Sequence, residues 1–205
     1  MRGLDKVRNI RKSRNGSGLG TAVLIILVIS IVFGFAFDFI LTKIEYSIYP
    51  KPDEYAKHVS KYSAEYGVPE DLIWAVIKTE SDFDSSAESG AGAVGLMQLM
   101  PTTFDEITNQ RLKDGFDIGM RYDPETNIRY GTYYLSYLYA RYGNWDTALA
   151  AYNGGLGNVD SWLADPDFGN AESGVLYKIP YKETANYVKK VNKALKMYEK
   201  LYEGE

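Results

Sequence analysis

The sequence predicts an all-α domain preceded by one apolar N-terminal helix. Apolar residues recur at helical spacing in segment after segment, each bounded by its own start and stop residues. No alternating apolar–polar run of strand length interrupts them, so at most a small hairpin is expected in the loops. Residues 15–37 also pass without one charge.

That uncharged run is the first element. Its core, Leu19 to Phe37, reads LGTAVLIILVISIVFGFAF, and about 20 apolar residues cross a bilayer as a helix. A cleaved signal peptide is the competing reading. It would need a shorter apolar region followed by a small-x-small site. Gly34-Phe35-Ala36 is the nearest match, and Phe37-Asp38-Phe39 is a poor sequel. The run is apolar on all sides, unlike a helix resting on a soluble core. An uncleaved transmembrane anchor over 19–41 is therefore favoured, with Asp38 near its outer interface. Arg2, Lys6, Arg8, Arg11, Lys12 and Arg14 precede it against Asp5. This basic tail, 1–18, predicts a cytoplasmic N-terminus and a remainder outside the cytoplasmic membrane beyond a tether at 42–51.

With the overall net charge at −4 and the first 20 residues at +5, the rest of the chain carries −9. An acidic globular part argues against nucleic acid as its partner. Cysteine is absent, which removes disulfides and thiolate metal sites. One histidine, His58, cannot make a usual zinc site; neither metal nor cofactor is expected. The 18 tyrosines and three tryptophans suit sugar stacking or an aromatic helical core equally.

The domain proper is expected over 52–205. Pro52 and Gly67 bracket a helix, Asp53 to Tyr66. Pro69 opens the next, which ends near Glu80. A short helix follows Pro101, and Thr103-Phe104-Asp105-Glu106 fits a capping box. Asn109 to Tyr122 is polar and aperiodic, a long loop of the kind that is often functional. Loop entropy grows slowly with length, so shortening it should cost little stability. Asp123-Pro124 starts a helix that runs to Tyr142 and stops at Gly143. Its Tyr133, Tyr134, Leu135, Tyr137, Leu138 and Tyr139 cover most of the circumference, which predicts burial on several sides. Asn144 caps another helix from Trp145 to about Tyr152. Residues 160–174 read as loop. The last helix, Lys182 to about Tyr202, carries an apolar stripe of Tyr187, Val188, Val191, Leu195, Tyr198 and Leu201, with its lysines largely outside it.

The chemistry concentrates between Trp74 and Pro101. Ile73, Trp74, Ile77 and Glu80 share one helical face, and a Ser/Gly/Ala-rich turn, Ser85 to Gly95, follows. A second apolar run, Leu96 to Met100, ends at Pro101. A carboxyl held against apolar surface keeps its proton to higher pH, because desolvation disfavours the charged form. That makes a general acid for work near neutral pH. For a lone glutamate at a helix end, plain solvation is the alternative.

Four stretches, in order, resemble one family. Glu80-Ser81-Asp82-Phe83 with Ser89 is similar to its first motif, and Gly92-Ala93-Val94-Gly95-Leu96-Met97-Gln98-Leu99-Met100-Pro101 to its second. Ala151-Tyr152-Asn153-Gly154-Gly155 is similar to the third, and Glu183-Thr184 with Tyr187-Val188 to the fourth. The family is the soluble-lytic-transglycosylase catalytic domain, which has the fold of goose-type lysozyme; the resemblance covers about Asp53 to Leu201. It implies cleavage of the MurNAc–GlcNAc bond of peptidoglycan glycan strands, leaving 1,6-anhydro ends. Glu80 would be the one catalytic residue, first acid and then base, with the substrate's acetamido group assisting. Ser89, Gln98, Tyr152, Asn153 and Glu183 match groove positions: Ser89 and Asn153 suit the acetamido group, Gln98 offers a donor and an acceptor, the Tyr152 hydroxyl can reach the catalytic carboxyl, and Glu183 lies across the cleft. Met97 and Met100 are expected as gap-filling core. The stretch between Met100-Pro101 and Asp123-Pro124 is longer than the family pattern. A hydrolytic muramidase on the same fold remains open, with Asp82, Asp84 or Asp105 positioning water, as does a non-catalytic peptidoglycan scaffold.

Overall fold

The computed structural model describes residues 17–204 and divides into two compact units, one ending at Ile48 and one beginning at Tyr49. Most of the basic tail expected at 1–18 lies outside the described residues.

The first unit is a single helix, α1 (Ser17–Ile48). Its apolar side chains from Val23 to Ile48 are exposed around the whole circumference. The stretch Gly20–Ile48 is long and apolar enough to cross a membrane. Within it the Ser30 hydroxyl donates to the Ile26 carbonyl at 2.8 Å, a bond that satisfies a hydroxyl without water. The helix runs on through Lys43–Ile48, so that part of the segment read as a tether is helical.

The second unit is a helical bundle. α2 (Asp53–Tyr66) starts after Pro52 and ends at Gly67, whose φ of 68° is the left-handed cap a glycine adopts without strain. α3 (Glu70–Glu80) buries six consecutive residues, Leu72 to Ile77, so it is a core helix rather than an amphipathic surface one. Pro69 sits at its N-cap, one place earlier than expected. α4 (Pro101–Glu106) takes Pro101 as its first residue. The capping box at Thr103 does not form, because Pro101 already supplies the helical φ two residues earlier.

Asn109–Tyr122 is not the bare loop its composition suggested. A π-helical turn, Ile107–Arg111, continues α4, and a 3₁₀ turn, Ile118–Tyr122, leads into α5. Between them Asp114 is anchored inward. Its carboxylate accepts from Thr108 Oγ1 at 2.9 Å, Arg129 Nη1 at 2.9 Å and the Tyr130 hydroxyl. Phe116 stacks on Tyr130 with ring centroids 6.0 Å apart.

α5 (Pro124–Tyr142) opens on Asp123, whose carboxylate accepts from the Thr126 amide at 2.9 Å, and closes on Gly143 at φ 65°. It is the hub, buried along Ile128, Tyr130, Leu135 and Leu138. α6 (Trp145–Gly154) is capped by Asn144. α7 (Leu156–Ala164) fills the first part of the segment read as loop. A two-residue hairpin, β1 (Gly169–Asn170) with β2 (Val175–Leu176), precedes α8 (Lys182–Leu201). α3 lies along α8, α2 and α6 lie against α5, and α6 also touches α8. One core joins them, from Trp74 and Leu96 through Phe104 and Leu149 to Tyr198. Met97 belongs to it, but Met100 is 36% exposed and fills no gap, because the chain turns outward into Pro101.

Candidate active site

Glu80 ends α3 just where that helix leaves the core. Protein surrounds its carboxyl, yet the residue keeps a partly exposed face. Desolvation raises its pKa from 4.5 to about 7, against a smaller opposing pull from the Tyr187 hydroxyl. The Tyr187 hydroxyl, on α8, is fully buried without a partner at hydrogen-bonding geometry. Its influence on Glu80 is thus a near approach rather than a formed bond. Burial, and then the charge of Glu80, push the hydroxyls of Tyr152 and Tyr187 well above the usual tyrosine range.

The second apolar run lies beside the end of α3 as a folded loop rather than a helix. Val94 bridges to both Glu88 and Leu99. Gln98 sits at φ 48°, a conformation few non-glycine residues adopt. It is held there because its side-chain amide donates to the carbonyls of Ala87 and Gly95, each at 3.1 Å. The donor half of Gln98 is therefore used inside the loop. Ser89 Oγ accepts from the Ala93 amide at 3.0 Å, which leaves its own proton to donate outward.

Two helices grip this loop beside Glu80. The Ser81 hydroxyl donates to the Leu96 carbonyl at 2.9 Å, and the Tyr152 hydroxyl to the Met97 carbonyl at 2.8 Å. The Tyr152 hydroxyl, expected to reach the catalytic carboxyl, is thus committed to backbone, and Tyr187 is the tyrosine whose hydroxyl approaches Glu80. Asn153 and Glu183 line one recess of about 250 Å³ together with Tyr187, Thr79, Asn186 and Lys190.

The three aspartates considered for positioning water are engaged elsewhere. Asp82 pairs with Lys78, Asp84 accepts from Ser86, and Asp105 accepts from Asn109 Nδ2 at 2.7 Å. None contributes to the shifted pKa of Glu80. His58 lies near Glu125, at 3.7 Å. No group of acidic or histidine side chains suited to a metal ion occurs among the described residues.

Asn127 was not anticipated. It is buried in the first turns of α5 and holds the loop at two points and the 3₁₀ turn at a third. Its Oδ1 accepts from the Met97 amide at 2.7 Å, while Nδ2 donates to the carbonyls of Val94 at 2.9 Å and Arg121 at 2.7 Å. A Cβ on Gly95, which has φ 78°, would fall 2.4 Å from Asn127 Nδ2, so the loop needs glycine there for space as well as conformation. An amide within an otherwise apolar and aromatic helix face was the available signal.

A helical domain with one desolvated glutamate above a glycine-shaped loop defines a class of lysozyme-like protein. Residues 57–174 match the family model described as the transglycosylase SLT domain, and the chain belongs to that family. It is 35% identical over 142 residues to the soluble lytic murein transglycosylase of Escherichia coli (strain K12), covering 68% of this chain and 22% of that one. It is 36% identical over 166 residues to the membrane-bound lytic murein transglycosylase C of Serratia proteamaculans (strain 568), covering 71% of this chain and 46% of the relative. The fold superimposes on an inactive Glu-to-Gln mutant of the lytic transglycosylase Slt from Pseudomonas aeruginosa with a TM-score of 0.63 and 33% identity. That match covers 77% of this chain and 25% of that one. The chain thus spans between about a fifth and a half of the length of these relatives.

Proposed function

We propose that this protein is a membrane-anchored peptidoglycan lytic transglycosylase that cleaves MurNAc–GlcNAc bonds and leaves 1,6-anhydro-MurNAc ends. The observation that carries this reading is Glu80, a desolvated carboxyl with a pKa of about 7 that no second carboxylate perturbs. The names of the relatives and the loss of activity on one Glu-to-Gln exchange in a relative support it.

In the proposed sequence, protonated Glu80 donates to the glycosidic oxygen as the C1–O bond breaks. The acetamido oxygen of the same sugar closes on C1. The Glu80 carboxylate then takes the proton of the sugar's own 6-hydroxyl, and that oxygen attacks C1 and displaces the acetamido oxygen. Glu80 ends protonated, and no water is consumed. One carboxyl suffices because the nucleophile belongs to the substrate; ordinary glycosidases place two carboxyls at about 5–5.5 Å or 6.5–9.5 Å. A muramidase would need a second carboxylate to position water, and Asp82, Asp84 and Asp105 are each held by other partners.

Ser89 donates its free proton to the acetamido carbonyl, and the uncommitted Gln98 carbonyl faces a substrate donor. Tyr152 holds the loop against Glu80. Asn153 and Glu183 form a further subsite around their shared recess. Residues 52–205 are the catalytic domain and 19–41 the anchor, with the 1–18 tail cytoplasmic and the domain on the wall side.

Rates on purified sacculi and the mass of the released sugar termini test this. Glu80→Gln keeps shape but cannot donate a carboxylic proton, so a loss of about 10⁴-fold is expected with wall binding retained. Asp82→Asn and Asp84→Asn should change the rate little. A near-normal Glu80→Gln rate refutes the mechanism, and reducing muramic ends would replace it with hydrolysis.

A further inference from the structure

The Tyr49–Glu205 unit has four arginines, Arg111, Arg121, Arg129 and Arg141. Three are paired with carboxylates: Arg111 with Glu106, Arg129 with Asp114, and Arg141 with Asp160. Arg121 is half-buried and has no carboxylate within 4.0 Å among the described residues. It is nonetheless fixed in place. Its Nε donates to the Ile118 carbonyl at 3.2 Å and its Nη1 to the Gly92 carbonyl at 3.1 Å. Its own carbonyl is held by Asn127 Nδ2 at 2.7 Å. A guanidinium carries five N–H donors in a rigid fork. Two are taken by these carbonyls, and three remain.

The position matters as much as the free donors. Gly92, which receives Arg121, closes a tight turn with Ser89 through its amide at 2.9 Å. Arg121 therefore borders the turn that holds Ser89. Glu88, the acidic residue of that turn, is held by the Tyr122 hydroxyl at 3.2 Å instead of pairing with Arg121. A pre-organised, carboxylate-free arginine is unusual in a unit dominated by acidic charge.

We infer that Arg121 is an anion-recognition residue of the substrate groove, and that its ligand is a carboxylate of the wall polymer. This rests on the peptidoglycan reading above and deepens it. The carboxylate belongs either to the peptide carried by muramic acid or, where that peptide is absent, to the lactyl group it would be joined to. The stretch between Met100-Pro101 and Asp123-Pro124, read as longer than the family pattern, thereby acquires a purpose: it delivers a fixed cation to the Ser89 turn.

The test uses the full chain in detergent, with native sacculi and sacculi whose carboxylates have been amidated by carbodiimide and methylamine. The wild type should favour the native polymer by roughly 3- to 10-fold in kcat/KM, the scale of one half-exposed charge-assisted contact. Arg121→Gln should lose that preference and match the wild type on the amidated polymer; Arg121→Lys should keep part of it. Strands stripped of peptide by an amidase separate the two sources. A preference that persists there, as discrimination between stripped strands before and after amidation, places the contact at the lactyl group, and one that vanishes places it on the peptide. An unchanged preference ratio in Arg121→Gln overturns the proposal. So does an equal loss on both polymers with a lower Tm, which would leave Arg121 a loop support only. If the wild type releases nothing from either polymer, the transglycosylase reading fails instead. The anion site is then still decided by co-sedimentation of wild type and Arg121→Gln with the two polymers.

Discussion

At Glu80 two opposing forces set one pKa. Burial raises it from 4.5 to about 7, and the Tyr187 hydroxyl draws it down. Tyr187→Phe removes only the second, so the Glu80 pKa should rise further. The basic limb of the pH–rate profile, where the acid form is lost, should then move to higher pH. An unmoved limb would leave Tyr187 with no effect on the acid. The same shift bears on stability. A carboxyl whose folded pKa is raised binds its proton more tightly folded than unfolded. Its contribution is fully present below about 4.5 and is lost as pH rises to about 7. Glu80→Gln escapes that loss. Urea unfolding should show the variant gaining on the wild type between pH 4.5 and 8, by on the order of 3 kcal/mol at most. A difference independent of pH would mean that Glu80 is solvated.

At the scale of elements, the loop from Ala87 to Leu99 is shaped by polar clamps rather than by its own apolar pattern. Asn127 alone serves one carbonyl and one amide there, and ties them to the Arg121 carbonyl of the 3₁₀ turn. Asn127→Leu preserves bulk but takes the side-chain partner from the Met97 amide and the Arg121 carbonyl, and leaves the Val94 carbonyl only the Leu99 amide. Each group left unpaired costs about 1–3 kcal/mol, so a substantial fall in urea stability is expected, together with lost activity; a stable, active variant would show the clamp to be redundant. The Asn109–Tyr122 segment follows the same logic. Burial alone would raise the pKa of Asp114, but bonds from Tyr130 and Thr108 and the charge of Arg129 win and lower it. Removing residues 112–117 should therefore lower Tm by about 5 °C or more, against the tolerance that loop entropy alone predicts. These clamps explain what was legible in advance. Helix ends marked by Pro52, Gly67, Asp123 and Gly143 are local signals and were readable. α7 was not, because its glycine-rich start at Gly155 and Gly157 resembles a turn while Val159, Trp162 and Leu163 form its buried side. The Glu80 environment followed from one helical face. Asn127 and Arg121 act across distances of about 30 residues, which no periodicity records.

At the scale of the whole molecule, the two units treat their apolar side chains in opposite ways. α1 exposes large apolar side chains along Val23–Ile48 and buries none of them. Its 29-residue stretch Gly20–Ile48 is about 43 Å long at 1.5 Å per residue, more than the roughly 30 Å of bilayer hydrocarbon. The second unit holds its own core, from Val59 to Tyr198, with lysines on the outer face of α8. Residues 49–205 alone should therefore stay in solution, give a helical circular dichroism spectrum and unfold in one cooperative transition. The full chain should require detergent and resist carbonate extraction from membranes. Because the basic tail precedes the span, protease added to intact protoplasts should remove the second unit. Survival of that unit until lysis would invert the orientation, and release of the full chain by carbonate would remove the anchor. Aggregation of residues 49–205 would mean that their core is incomplete without α1.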